Sequence, residues 1–95
     1  MTDEERTRQT LRVLELLDES IQAYRRGDKV GSDLAAKAAC RLDVHVVSAV
    51  QGGILIGEIP NPERDPLAWA DYLQAIRERL PHADDRPDQA PGATA

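Results

Sequence analysis

Apolar residues recur along the chain in three blocks, each with the three-or-four spacing of a helix. In the first block Leu11, Leu14, Leu17, Ile21 and Tyr24 draw one stripe, and Val13 and Leu16 widen it. Ahead of them Thr2-Asp3-Glu4-Glu5 has the form of a capping box, with Thr2 at the cap and Glu5 reaching back. Arg25-Arg26 place cations at the negative end of the helix dipole, and Gly27 offers a left-handed stop. The pattern predicts a helix over 3–26 whose stripe is wide enough to meet two neighbours.

The second block, Ser32–Ile59, holds the densest apolar run, the one Cys and the one Gly doublet. Asp33, Lys37, Arg41 and then His45 or Ser48 form a polar stripe, opposed by Leu34, Ala35, Ala38, Leu42, Val46, Ala49 and Val50. Ser32 suits the N-cap, and Asp33 precedes Lys37 by four, the favourable order for a side-chain pair. A helix over 32–51 follows from this; after Gly53 either a further turn or two, as far as 57, or a short extended segment leads to Pro60. The alternative is a β-hairpin: Val44, Val46, Val47 and Val50 are β-branched, Gly52-Gly53 can turn, and Ile54-Leu55-Ile56 can return. Alternation breaks at Val46-Val47, which favours the helix.

Gly27–Gly31 is short enough to join antiparallel helices. Pro60, Pro62 and Pro66 make a stiff connector, and Asp65-Pro66 supplies an N-cap followed by proline at the first helical position. Trp69, Leu73, Ile76 and Leu80 then mark a helix over 66–80, stopped by Pro81, with Leu67, Ala70 and Tyr72 alongside. The expected fold is all-α: a three-helix unit over residues 1–81, in which a helical hairpin carries a third helix folded across the apolar end of the second. The β-hairpin would make it α+β. Residues 82–95 have no periodic apolar face and read as a disordered C-terminal tail.

Composition narrows the partners. The net charge of −5 resides in the second half: residues 1–41 carry eight acidic and eight basic groups, residues 42–95 nine and four. That field repels nucleic-acid phosphates and anionic membranes, making nucleic acid a less favoured partner and a membrane an unexpected one. No run of 18 apolar residues and no signal pattern is present, and a lone Cys forms no internal disulfide; both fit a reducing cytoplasm. Arginine far outnumbers lysine, a usage associated with GC-rich bacterial genomes.

Candidate chemistry is thin. Cys40, Asp43 and His45 are close in sequence, but on a helix Cys40 and His45 diverge by about 140°, and Asp43 and His45 also point apart. Cys40 then reads as a small buried apolar group. His45 and His82 are the only histidines and make no metal-ligand spacing, and Gly52-Gly53 with Gly57 is no phosphate loop. No catalytic, cofactor or metal residues are assigned. LAAKAACRLDVHVVSAVQGG resembles a helix-turn-helix, with Leu42 in the turn and Asp43 capping the second helix. That resemblance implies a DNA-binding regulator, yet the would-be recognition face offers His45, Ser48 and Gln51 and no Lys or Arg.

Apolar groups exceed what one three-helix interior can hold. Val13, Leu16, Ile54, Leu55, Ile56 and Ile59 are left over, and leaving such side chains in water forgoes roughly 1.5–3 kcal/mol each. A two-fold surface built from these six is the simplest remedy, giving a homodimer in a larger bundle. The function expected is a non-enzymatic protein-interaction or regulatory module, with itself or another protein as partner. The alternatives are the DNA-binding regulator and a small ligand-binding protein or enzyme using Asp43, His45 or Glu58 at a dimer cleft.

Overall fold

The first helix starts as its residue types require. The Thr2 N–H donates to Glu5 Oε1 (2.8 Å) and the Glu5 N–H donates to Thr2 Oγ1 (3.1 Å), a complete capping box. In the computed structural model, which describes residues 2–80, three helices follow: α1 (Asp3–Arg25), α2 (Lys29–Leu55) and α3 (Pro66–Glu78). Among the described residues there is no strand, so the chain is an all-α three-helix unit and the β-hairpin alternative is not formed. The tail expected over 82–95, and His82 in it, lie outside the described residues.

The turn between α1 and α2 is tighter than its composition suggests. Gly27 takes φ +82°, its N–H donates to the Tyr24 carbonyl (3.0 Å), and the Asp28 N–H donates to the Ala23 carbonyl (2.9 Å). This pairing satisfies the last carbonyls of α1. Asp28 at once caps α2, accepting from the Gly31 N–H at 2.8 Å. Ser32, the expected cap, therefore lies inside α2, where its carbonyl accepts from Ser20 Oγ of α1 at 2.8 Å.

α2 is not the uninterrupted helix that its polar stripe suggests. Asp43 leaves helical geometry (φ −165°, ψ 95°) and divides α2 into a first arm, 29–42, and a second arm, 44–55. Packing shows how far the chain turns. Gln9 near the start of α1 donates to Asp43, so a straight α2 would carry Val50 beyond the end of α1. Instead Val50 is buried with Leu14. Ala36 and Ile54, which a straight helix holds about 27 Å apart, line one cleft with Leu17 and Ile21. The first arm thus runs antiparallel to α1, and the second arm folds back along it.

The second arm continues through Gly52-Gly53 and stops at Gly57, which takes φ +84°. There the Gly57 N–H donates to the Ile54 carbonyl (3.2 Å) and the Glu58 N–H to the Gly53 carbonyl (2.8 Å), repeating the motif that ends α1. In the connector Asn61 Oδ1 accepts from the N–H groups of Glu63 and Arg64, and Arg25 Nη2 donates to the Pro62 carbonyl at 2.9 Å. Asp65 caps α3 through the Ala68 N–H, with Pro66 opening the helix as expected.

Rather than lying across the end of α2, α3 rests its backbone on α1. Trp69 Nε1 donates to Asp18 Oδ1 at 3.0 Å, and the Arg77 guanidinium meets Glu15 at 3.1 Å. Its buried residues Trp69, Leu73 and Ile76 share one core cluster with Leu14 and Val50. A second cluster joins Val13 and Leu16 to Ala39 of the first arm and Val47 of the second. The wide stripe on α1 is thereby used on two sides, against α2 and against α3.

Candidate functional site

The residues singled out for chemistry do not assemble. Asp43 is committed to the backbone: its Oδ1 accepts from the N–H groups of His45 (3.1 Å) and Val46 (3.2 Å), and its Oδ2 accepts from Gln9 Nε2 (2.8 Å). The Val46 N–H first, and then the Gln9 amide, hold its carboxyl below the ordinary value of 3.8. It is a helix cap locked as carboxylate, not a base poised to take a proton. His45 and Glu58 are exposed. Cys40 is exposed too, against the expectation that it is a buried apolar filler. The first arm turns Ala39 toward Val13 and Leu16 of α1, and Cys40, the next residue round the helix, is left facing water.

Among the described residues no group of three or more His, Cys, Asp or Glu could hold a metal ion. No described helix is long and apolar enough to cross a membrane. An apolar cleft of about 260 Å³ opens between α1 and the two arms of α2. Leu17, Ile21, Val50, Ile54 and Trp69 line it together with Ser20 and Gln51. Ser20 is spent on Ser32, so this cleft offers apolar surface and little polar chemistry.

The six residues expected to face a second copy separate into three groups. Val13 (0 % exposed) and Leu16 (8 %) are covered within the chain by Ala39 and Val47. With both arms of α2 laid on α1, the interior has room for them that a single three-helix line does not offer. Ile54 packs against the core cluster, and Ile59 is half-buried with its side chain on Gly53. Leu55 (86 % exposed) and Ile56 (70 %) stand in water.

Other apolar residues that periodicity placed on inward stripes are also exposed: Tyr24, Leu34 and Leu67. Val30, in the stretch expected to connect the two helices, is an exposed residue of the first arm. Tyr24, Leu34 and Leu67 each lie on the outward face of a helix whose near neighbours are packed: Ala23 is buried beside Tyr24, Ser32 of the first arm bonds Ser20 two residues before Leu34, and Trp69 is buried two residues after Leu67. Leu42 and Val44, also exposed, flank the break at Asp43.

The helix break lies where the helix-turn-helix resemblance puts its turn, with Asp43 as the cap. The second arm nevertheless carries no Lys or Arg, and Val44, His45, Ser48, Ala49 and Gln51 face water. No family model, no curated protein and no solved structure matches the chain.

Proposed function

We propose that this protein is a small non-enzymatic protein-interaction or regulatory module that acts in the cytoplasm as a homodimer. The observation that supports this reading is the pair Leu55 and Ile56, two large aliphatic side chains left in water at the end of α2. Burying them against a partner recovers roughly 1.5–3 kcal/mol for each side chain. Leu55 is the last helical residue and Ile56 the C-cap, whose N–H donates to the Gly52 carbonyl at 3.1 Å, so both are carried on a hydrogen-bonded helix end and not on a loop. Light scattering on the full chain at micromolar concentration tests the reading. A mass of twice 10.5 kDa supports it, and a persistent 10.5 kDa species with full helicity rejects it.

A second reading, a helix-turn-helix-like DNA-binding regulator, draws on one observation, the capped break at Asp43. Its would-be recognition arm lacks cations for guanine or phosphate, which ranks it below the first. Retention on a DNA column with a steep salt dependence would reverse that order.

A further inference from the structure

The exposed apolar side chains are not scattered. Tyr24 ends α1, Val30 and Leu34 begin α2, Leu55 and Ile56 end it, and Leu67 begins α3. These four helix termini meet at one end of the bundle. The Gly27-Asp28 turn joins the first two, and Ile21, Ala36 and Ile54 line a common cleft. The bond from Arg25 to the Pro62 carbonyl ties in the connector that leads to α3. The remaining exposed large apolar residues, Leu42 and Val44, lie at the opposite end beside Asp43 and are less exposed than any of the six.

Resting on the homodimer reading, we propose that this end of the bundle is the dimer interface, and that its occupant is the same end of a second copy related by a two-fold axis. Two quantities favour that occupant. The first is area. A fully exposed Leu, Ile or Val offers roughly 60–120 Å² of apolar surface. Six side chains exposed by 60 % to 86 % therefore present on the order of 400 Å². A standard interface takes about 800 Å² per partner, a little over half of it apolar, so the end of the bundle supplies about what one side of a dimer needs.

The second is charge. Arg26, Lys29 and Arg64 are exposed at this end and make no side-chain hydrogen bond or ion pair among the described residues. The same holds for Glu58 and Glu63. Unpaired charges of both signs on one patch suit a two-fold interface, in which a rotation can set the cations of one copy against the anions of the other. A partner of uniform charge would meet repulsion from one set or the other.

The test uses the full chain and three charge insertions. Leu55→Glu and Ile56→Glu alter side chains that touch little within the protomer, so helicity should persist while the dimer dissociation constant rises about tenfold or more. Val44→Glu, at the far end and in the first turn of the second arm, should leave the dimer intact. Glu58→Lys combined with Glu63→Lys gives the rim an excess of cations over the capping carboxylates Asp28 and Asp65. That variant should dimerise less at low salt and recover in part as salt is added. Sedimentation velocity across a concentration series reads all four. A dimer that survives Leu55→Glu and Ile56→Glu but is broken by Val44→Glu overturns the location and leaves the homodimer reading standing. A wild-type chain that stays monomeric overturns both.

Discussion

Gly52 and Gly53 are neighbours in one helix, yet alanine should act in opposite directions at the two. A helix-interior glycine costs roughly 1 kcal/mol relative to alanine. At Gly52 a built Cβ meets nothing within 4 Å, so Gly52→Ala should stabilise by up to ~1 kcal/mol. At Gly53 the same atom would lie 2.6 Å from Ile59 Cδ1 and 2.8 Å from Ile59 Cγ1. Ile59 is β-branched and stiff about χ1, so it must leave its rotamer or its seat. Overpacking of this kind costs ~1–3 kcal/mol, which outweighs the helical gain and leaves a net loss near ~1 kcal/mol. The two variants should therefore differ by ~2 kcal/mol, or roughly 8–16 °C in Tm for a domain of this size. Thermal melts followed by helical circular dichroism measure it. Ile59→Ala supplies the internal control: in that background the clash is gone, and Gly53→Ala should become stabilising by ~1 kcal/mol. A Gly53→Ala protein that melts as high as Gly52→Ala would refute the contact. A loss at both positions would mean that the helix ends at the doublet.

Other perturbations probe the remaining joints. Asp43 and Glu5 both hold their carboxyls below the ordinary range. The Val46 N–H is the main cause at Asp43, and the Thr2 N–H at Glu5. Each then adds stability above its ordinary value that is lost as pH falls through the lowered folded one. Asp43→Asn keeps a capping oxygen but cannot titrate, so its stability should fall less steeply than wild type below pH 3.8; superimposable acid-unfolding slopes would contradict this. Asp18→Ala strips the acceptor from the buried Trp69 indole N–H and should cost ~1 kcal/mol or more with a shift in tryptophan emission. Unchanged emission and stability would show that water replaces the carboxylate. Gly57→Ala forces a side chain into left-handed backbone and should lower stability by ~1 kcal/mol in urea titration, whereas no loss would mean the second arm ends differently.

The elements that were legible from residues alone are those whose causes are local. Thr2 with Glu5, Gly27 after Arg25-Arg26, and Asp65-Pro66 each place a cap within a few residues of the groups it satisfies, and each stands where its chemistry puts it. The i, i+4 pair of Asp33 and Lys37 is likewise present, at 3.8 Å. Helix existence follows from the same short-range terms, since a 3.6-residue apolar period needs only some core to face.

What tertiary structure decided is the direction of the chain inside α2. Locally, a helix through residues 29–55 satisfies the backbone groups of its interior, and the polar stripe through Asp33, Lys37 and Arg41 continues smoothly to His45. The break at Asp43 gives up local hydrogen bonds, and a partner 34 residues away, Gln9, helps to hold it. Its larger compensation is burial of Val47 and Val50 against α1, which a straight helix would leave beyond the end of its neighbour. That one reversal brings Val47 onto Val13 and Leu16 and puts Ala36 and Ile54 on one cleft. Asp43 was readable as a cap, but whether a capping residue is used depends on packing free energy that no local window contains. Which apolar side chains stay exposed at the bundle end is likewise decided by the assembled fold, because the spacing that makes a residue apolar-periodic does not say which side of its helix a neighbour covers.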